Sequence, residues 1–181
     1  MSTTRIARRY AKPLLELATE KNLVEEVKND LAGFDSICKS SPDFVRMLKS
    51  PILTNHKKGE ILNAIYKDKV SDLTMSVFEI MSRKNREAVL PEVAREFVNL
   101  YNDQMGIQKA TVTTTFKIDD KLRKSFEKVV SELSGKKPSL AENIDESILG
   151  GYVLRMDDKQ IDDSISGHLS ELRLQFKKET K

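Results

Sequence analysis

The side chains able to carry chemistry are few, and their spacing decides what they can do. Two histidines, His56 and His168, and one cysteine, Cys38, are scattered along 181 residues. A closed structural zinc site needs a set of Cys and His ligands, and neither HExxH nor paired CxxC occurs, so no metal centre and no cofactor is expected. Cys38, beside Ile37 on a helical pattern, reads as a small buried hydrophobe. Without a second cysteine there is no intramolecular disulfide, which suits a reducing compartment. His168 has no nucleophilic Cys or GxSxG serine to work with, and His56 belongs to the polar run Asn55-His56-Lys57-Lys58, so the two imidazoles read as solvent-facing and inert. Asp157-Asp158 and Asp162-Asp163 lack the ligand spacing and the glycine of a calcium loop. Turn and helix-cap chemistry accounts for both, and no catalytic residue is assigned.

Gly150-Gly151 is the remaining chemical candidate. A phosphate cradle needs a helix N-terminus directly after the glycines, whose N–H groups and dipole face the anion. Here Tyr152, Leu154 and Met156 alternate with Val153 and Arg155, so a strand follows, and the glycines read as a packing device that lets backbone pass close by. Asp157-Asp158 then marks a turn and residues 159–161 a short return. Asp162-Asp163-Ser164 supplies acceptors for the first N–H groups of a last helix, with Ser164 as N-cap and Asp expected to be tolerated at that position. Ile165, Leu169, Leu172 and Phe176 form that helix's apolar stripe. Gly150, Gly151, Asp162 and Ser164 are thus structural residues of one motif.

The elements that position these residues fall into two parts. Ahead of Gly106 the apolar spacing is helical. Ile6, Tyr10, Leu14, Leu17 and Ala18 make a first stripe, after Ser2, Thr3 and Thr4 as possible caps, and Pro13 inside it predicts a kink because it removes the bond to the Arg9 carbonyl. Val24, Val27, Leu31, Phe34 and Cys38 make a second. Ser41-Pro42 opens a short third helix that stops before Pro51, residues 55–66 form a fourth, and Leu73, Val77, Phe78, Ile80 and Met81 mark a fifth after Ser71-Asp72. Pro91 starts a sixth with Val93, Phe97, Leu100 and Tyr101, and Gly106 is its left-handed C-terminal residue. From there the period drops to two: Ala110, Val112, Thr114 and Phe116 share one side of a threonine-rich strand. A helix from Asp119-Asp120 to Gly135, carrying Leu122, Phe126, Val129, Val130 and Leu133, and a strand through Ile144 lead into the hairpin. The expected fold is an N-terminal all-α six-helix bundle, residues 1–105, followed by a small α+β domain, residues 106–181.

Composition narrows the function classes. The chain has 31 basic and 28 acidic side chains, 17 and 15 of them before residue 106, so neither half offers the strong positive field of a nucleic-acid module. Arg8-Arg9, Lys57-Lys58, Arg83-Lys84-Arg86 and Lys136-Lys137 are separated by acids and lack interleaved aromatics; a helical nucleic-acid-binding or generic adaptor protein is the alternative reading. No apolar run approaches the roughly 18 residues of a membrane helix, and the N-terminus has no signal-peptide core, so a soluble, unprocessed chain is expected.

Two stretches carry a family resemblance. Arg9-Tyr10-Ala11-Lys12 with Leu14, Leu17 and Ala18 is similar to the opening of the delta subunit of bacterial F-type ATP synthases, the equivalent of the mitochondrial oligomycin-sensitivity-conferring protein. Asp145, Gly150-Gly151, Val153, Arg155, Ile161, Asp162 and Ser164 resemble that family's closing pattern, and Leu48, Pro51, Asn85-Arg86, Ala110 and Val112 fall in place between. Pro13, Glu146 and Asp163 depart from it. The resemblance implies a non-catalytic stator subunit of a proton- or sodium-translocating enzyme: the helical domain would grip N-terminal helices of the alpha subunits and the second domain would meet the b subunits of the peripheral stalk. It implies one copy per complex, a monomer in isolation, no contact with nucleic acid, and a peripheral place on the cytoplasmic face of the bacterial plasma membrane, reached only through the complex. For an amphipathic helix, Ile6, Tyr10 and Pro13 with Met75, Phe78, Glu79 and Arg86 are the expected groove. Ordinary core is the competing reading for each apolar member.

Overall fold

A computed structural model describes residues 3–157 and 159–179. Ser2 and Asp158, expected as cap and turn residues, lie outside them. The described residues hold eight α-helices, two 3-10 turns and one four-stranded mixed sheet. The chain divides into two compact units, Met1–Gln104 and Met105–Lys181.

The first unit contains α1 (Thr3–Glu20), α2 (Val24–Ser40), α3 (Pro42–Lys49), α4 (Asn55–Tyr66), α5 (Asp72–Arg83) and α6 (Leu90–Gln104), with a 3-10 turn at Glu87–Val89. Local chemistry sets several of the boundaries. Ser71 Oγ accepts the Thr74 N–H at the start of α5, and Asp30 Oδ2 accepts from both Ser71 N (2.8 Å) and Thr74 Oγ1 (3.0 Å), tying that start to α2. Ser41 precedes α3 with Pro42 in the first turn, but its side chain makes no capping bond. The core gathers on Phe34, whose ring lies 5.1 Å from Phe78, 5.6 Å from Tyr66 and 5.9 Å from Phe44.

The first helix differs from the expected single stripe. α1 runs unbroken through Pro13 and buries Ala7, Ala11, Leu14, Leu15 and Ala18 along α6. Three alanines at zero exposure let the two backbones approach closely. Ile6, Tyr10, Pro13 and Leu17, spaced four, three and four, form a second apolar row beside that face; Ile6 and Tyr10 are half-buried and Pro13 and Leu17 exposed.

The second unit is built on β1 (Ile107–Thr114), α7 (Asp120–Ser134), β2 (Lys137–Ile144), a 3-10 turn at Glu146–Ile148, β3 (Gly151–Met156), β4 (Lys159–Ser164) and α8 (Ile165–Glu179). The sheet order is β2-β1-β3-β4. β1 and β2 are parallel, joined by the α7 crossover; β3 pairs antiparallel with both β1 and β4. Left-handed Gly106 and Gly135 end α6 and α7. The core is Ala110, Val112, Ile118, Val130, Leu154 and Met156, flanked by Phe126, Leu140, Tyr152 and Ile161.

Phe116 lies outside the strand in which it was expected. β1 ends at Thr114, whose hydroxyl donates to the Phe116 carbonyl (2.7 Å) and starts a turn. Phe116 is therefore 59% exposed, and Ile118 enters the core instead. The return strand is also longer than expected, since Asp162 and Asp163 pair with Val153 and Tyr152 inside β4. The apolar stripe of α8 lies at the surface, with Ile165, Leu169 and Leu172 each about half exposed.

Candidate functional site

The reactive side chains stay apart. Burial, with Asp35 nearby, pushes the Cys38 thiol up to about 11, so it remains protonated and unreactive at neutral pH. His56 Nδ1 lies 3.3 Å from Glu60 on the open face of α4, and His168 lies 3.7 Å from Asp163. Among the described residues no three His, Cys, Asp or Glu side chains gather as a metal site, and no helix is long and apolar enough to cross a membrane. What the molecule offers is shaped apolar surface.

Between α4 and α5 lies a groove of about 460 Å³. Met75 and Glu79 line it from α5, and Phe78, 1% exposed and stacked in the core, contributes its floor. The α4 wall, which includes Asn55, Gly59, Glu60 and Asn63, was not foreseen. Gly59, a glycine in mid-helix, was the available signal: a Cβ there would stand 3.6 Å from Ser82 on α5, so the position faces the partner helix.

Arg86 stands at the end of α5. Asn85 takes the left-handed conformation (φ 58°), and the Arg86 N–H returns to the Met81 carbonyl at 2.9 Å, the six-to-one bond of a Schellman motif. Asn55 Nδ2 donates to the Asn85 side-chain oxygen, linking the start of α4 to this turn. The Arg86 side chain reaches α1, where Nη1 donates to the Tyr10 hydroxyl (3.0 Å) and the guanidinium carbon lies 5.8 Å from the ring centroid. The structure therefore joins Met75, Phe78 and Glu79 at one groove and Tyr10 with Arg86 at another point, with Ile6 and Pro13 in Tyr10's row. Asn85 lines the groove and is covalently next to Arg86, which makes the two sites neighbours.

In the second unit the glycine pair marks a close approach. Gly151 has φ 76°, and a Cβ on it would fall 2.1 Å from the Asp163 carbonyl oxygen; one on Gly150 would fall 2.8 Å from Ile165 Cδ1. Ser164 Oγ accepts the Gly167 N–H (2.9 Å) at the start of α8 and donates to Asp162 Oδ1 (2.6 Å), which also accepts the Ser164 N–H (3.0 Å). These bonds from Ser164 hold the Asp162 carboxyl below the ordinary aspartate range. A neighbour missed from sequence is Gly167, where a Cβ would meet Asp162 Oδ1 at 2.8 Å.

Apolar helix faces on one unit and a half-exposed helix stripe on the other define the class: a protein whose surface is suited to packing against other proteins. The family model for the ATP synthase delta (OSCP) subunit matches residues 6–176. Proteins named ATP synthase subunit delta from Cytophaga hutchinsonii and Christiangramia forsetii are 41% and 36% identical to this chain. The matches span 97% of this chain and 96% of the first relative, and 99% of this chain and 97% of the second. A chain in the cryo-EM structure of the Toxoplasma gondii mitochondrial ATP synthase hexamer has the same fold, with a TM-score of 0.70 over 94% of this chain and 96% of its own at 21% identity. The chain belongs to the ATP synthase delta (OSCP) subunit family. It is a non-catalytic component of the peripheral stalk of an F-type ATP synthase.

Proposed function

We propose that this chain links the catalytic head to the stalk, so that the head is held still while the rotor turns in a proton- or sodium-driven enzyme. In this reading residues 1–105 act as a six-helix bundle that grips N-terminal helices of the alpha subunits, residues 106–181 bind the b subunits, and one copy works on the cytoplasmic face of the membrane. The observation that carries it is the second apolar row of α1: Ile6, Tyr10, Pro13 and Leu17 keep helical spacing, yet the first two are only half-buried and the other two are exposed, which is the pattern of a face awaiting another helix. The half-exposed Ile165, Leu169 and Leu172 of α8 support the stalk contact in the same way.

Detergent-solubilised membranes of the host, carrying the untagged full chain, provide the test. Alpha and b subunits are expected to co-purify with it in stoichiometric amounts. Recovery with ribosomes or DNA instead would contradict the reading and favour the nucleic-acid alternative.

A further inference from the structure

Arg86 can serve a docking site in two ways, by touching the partner or by shaping what the partner touches. Its side chain is half-buried and directed at α1, with a hydrogen bond to the Tyr10 hydroxyl and its guanidinium within cation–π range of the same ring. Its backbone is fixed independently: the N–H goes to Met81 and the carbonyl accepts from Val89, 3.0 Å away in the 3-10 turn. An arginine anchored at its root and engaged at its tip has little freedom left to reach out. Tyr10, by contrast, has only this hydrogen bond among the described contacts and stands in the outward row of α1.

We propose that Arg86 is a positioning residue: it locks the Tyr10 ring in one orientation and so sets the edge of the surface that receives the partner helix. The claim rests on the docking reading above. Asn85 extends the device to α4 through its bond with Asn55, so that one dipeptide holds the end of α5 to the start of α4 and to the middle of α1. The fork of a guanidinium can bond the hydroxyl and lie near the ring together; an ammonium supplies one point charge and does less.

The test uses the full chain in two measurements. The first is nuclear magnetic resonance with ring-labelled tyrosine, practical because the chain has only four tyrosines. Arg86→Met is expected to shift and broaden the Tyr10 signal, identified by its loss in Tyr10→Phe, while Tyr66 and Tyr101 keep theirs; Arg86→Lys should give an intermediate spectrum. An unmoved Tyr10 signal in Arg86→Met overturns the proposal. The second is titration with a synthetic peptide covering the N-terminal helix of the host's alpha subunit. Arg86→Met and Tyr10→Ala should each weaken binding by about tenfold, the scale of one lost hydrogen bond to a charged group, and the double variant should bind no worse than Tyr10→Ala alone. Losses that multiply mean that Arg86 meets the partner itself, which overturns the proposal. If Arg86→Met fails to fold, Arg86→Lys alone carries the comparison, with a smaller loss that should again vanish in the Tyr10→Ala background. A parent chain that ignores the peptide while Arg86→Met still frees Tyr10 supports the lock and overturns the docking reading.

Discussion

A carbon added at Gly151 would overlap the Asp163 carbonyl oxygen and force a side chain into a left-handed backbone. Both penalties fall where β3 and β4 pair, Gly151 opposite Ser164. Gly151→Val should therefore cost about 3 kcal/mol or more, the combined scale of overpacking and backbone strain. Hydrogen exchange will report it: amides of β3 and β4 should exchange far faster, while those of α2 and α6 keep their protection. At Ser164 the structure revises the expectation drawn from sequence. Alanine removes a cap and should cost about 1 kcal/mol. Aspartate, expected to substitute, should do worse, because Ser164 is buried and its hydroxyl donates to Asp162; a carboxylate would lose that bond and face a like charge. Denaturant titration of the two variants gives the order, and Asp tolerated better than Ala would contradict the hydrogen-bond assignment. The glycines and the cap were legible because each is a local backbone requirement. That Asp163, Asp162 and Gly167 are their partners was not, since strand length decides it and acidic residues argue against a strand.

Helices were read well where a cap, a proline or a glycine stands at the boundary, as at Pro42, Ser71, Asp119 and Gly106. The face of a helix was harder. Leu14 and Ala18 of the expected first stripe are buried, but alanine counts weakly in a hydrophobic pattern, so Ala7 and Ala11 were passed over for Ile6 and Tyr10 in the adjacent row. With the alanines facing inward, Ile6 and Tyr10 are left half-buried and Leu17 exposed. Between α2 and α6, Asp35 receives Lys39 Nζ (2.6 Å) and Arg95 Nε (2.8 Å). Burial raises its carboxyl, and hydrogen bonds from Lys39 and Arg95 outweigh that, holding it below the ordinary aspartate value. A depressed folded-state value means stability that is complete above the unfolded value, about 3.9, and lost as pH falls through the folded one. Thermal unfolding of the parent should weaken as pH drops below about 4, and in Asp35→Asn that acid-side decline should be shallower. Equal slopes would show that Asp35 does not link α2 to α6.

For the whole molecule, the switch from helical to alternating spacing at Gly106 was visible in the chain, and the compact units meet between Gln104 and Met105. The α4 wall of the groove was hidden, since it depends on which two helices become neighbours. The central claim is that the outward row of α1 receives a helix from the catalytic head, and calorimetric titration of the full chain with the alpha-subunit N-terminal peptide tests it most directly. The parent should bind. Tyr10→Asp, which takes the ring out of the contact and leaves a short carboxylate beside Arg86, should lose on the order of 2 kcal/mol of affinity while its circular dichroism and melting stay those of the parent. A Tyr10→Asp chain that stays folded and binds as tightly as the parent would contradict the account, as would one that unfolds, which would make Tyr10 a core residue.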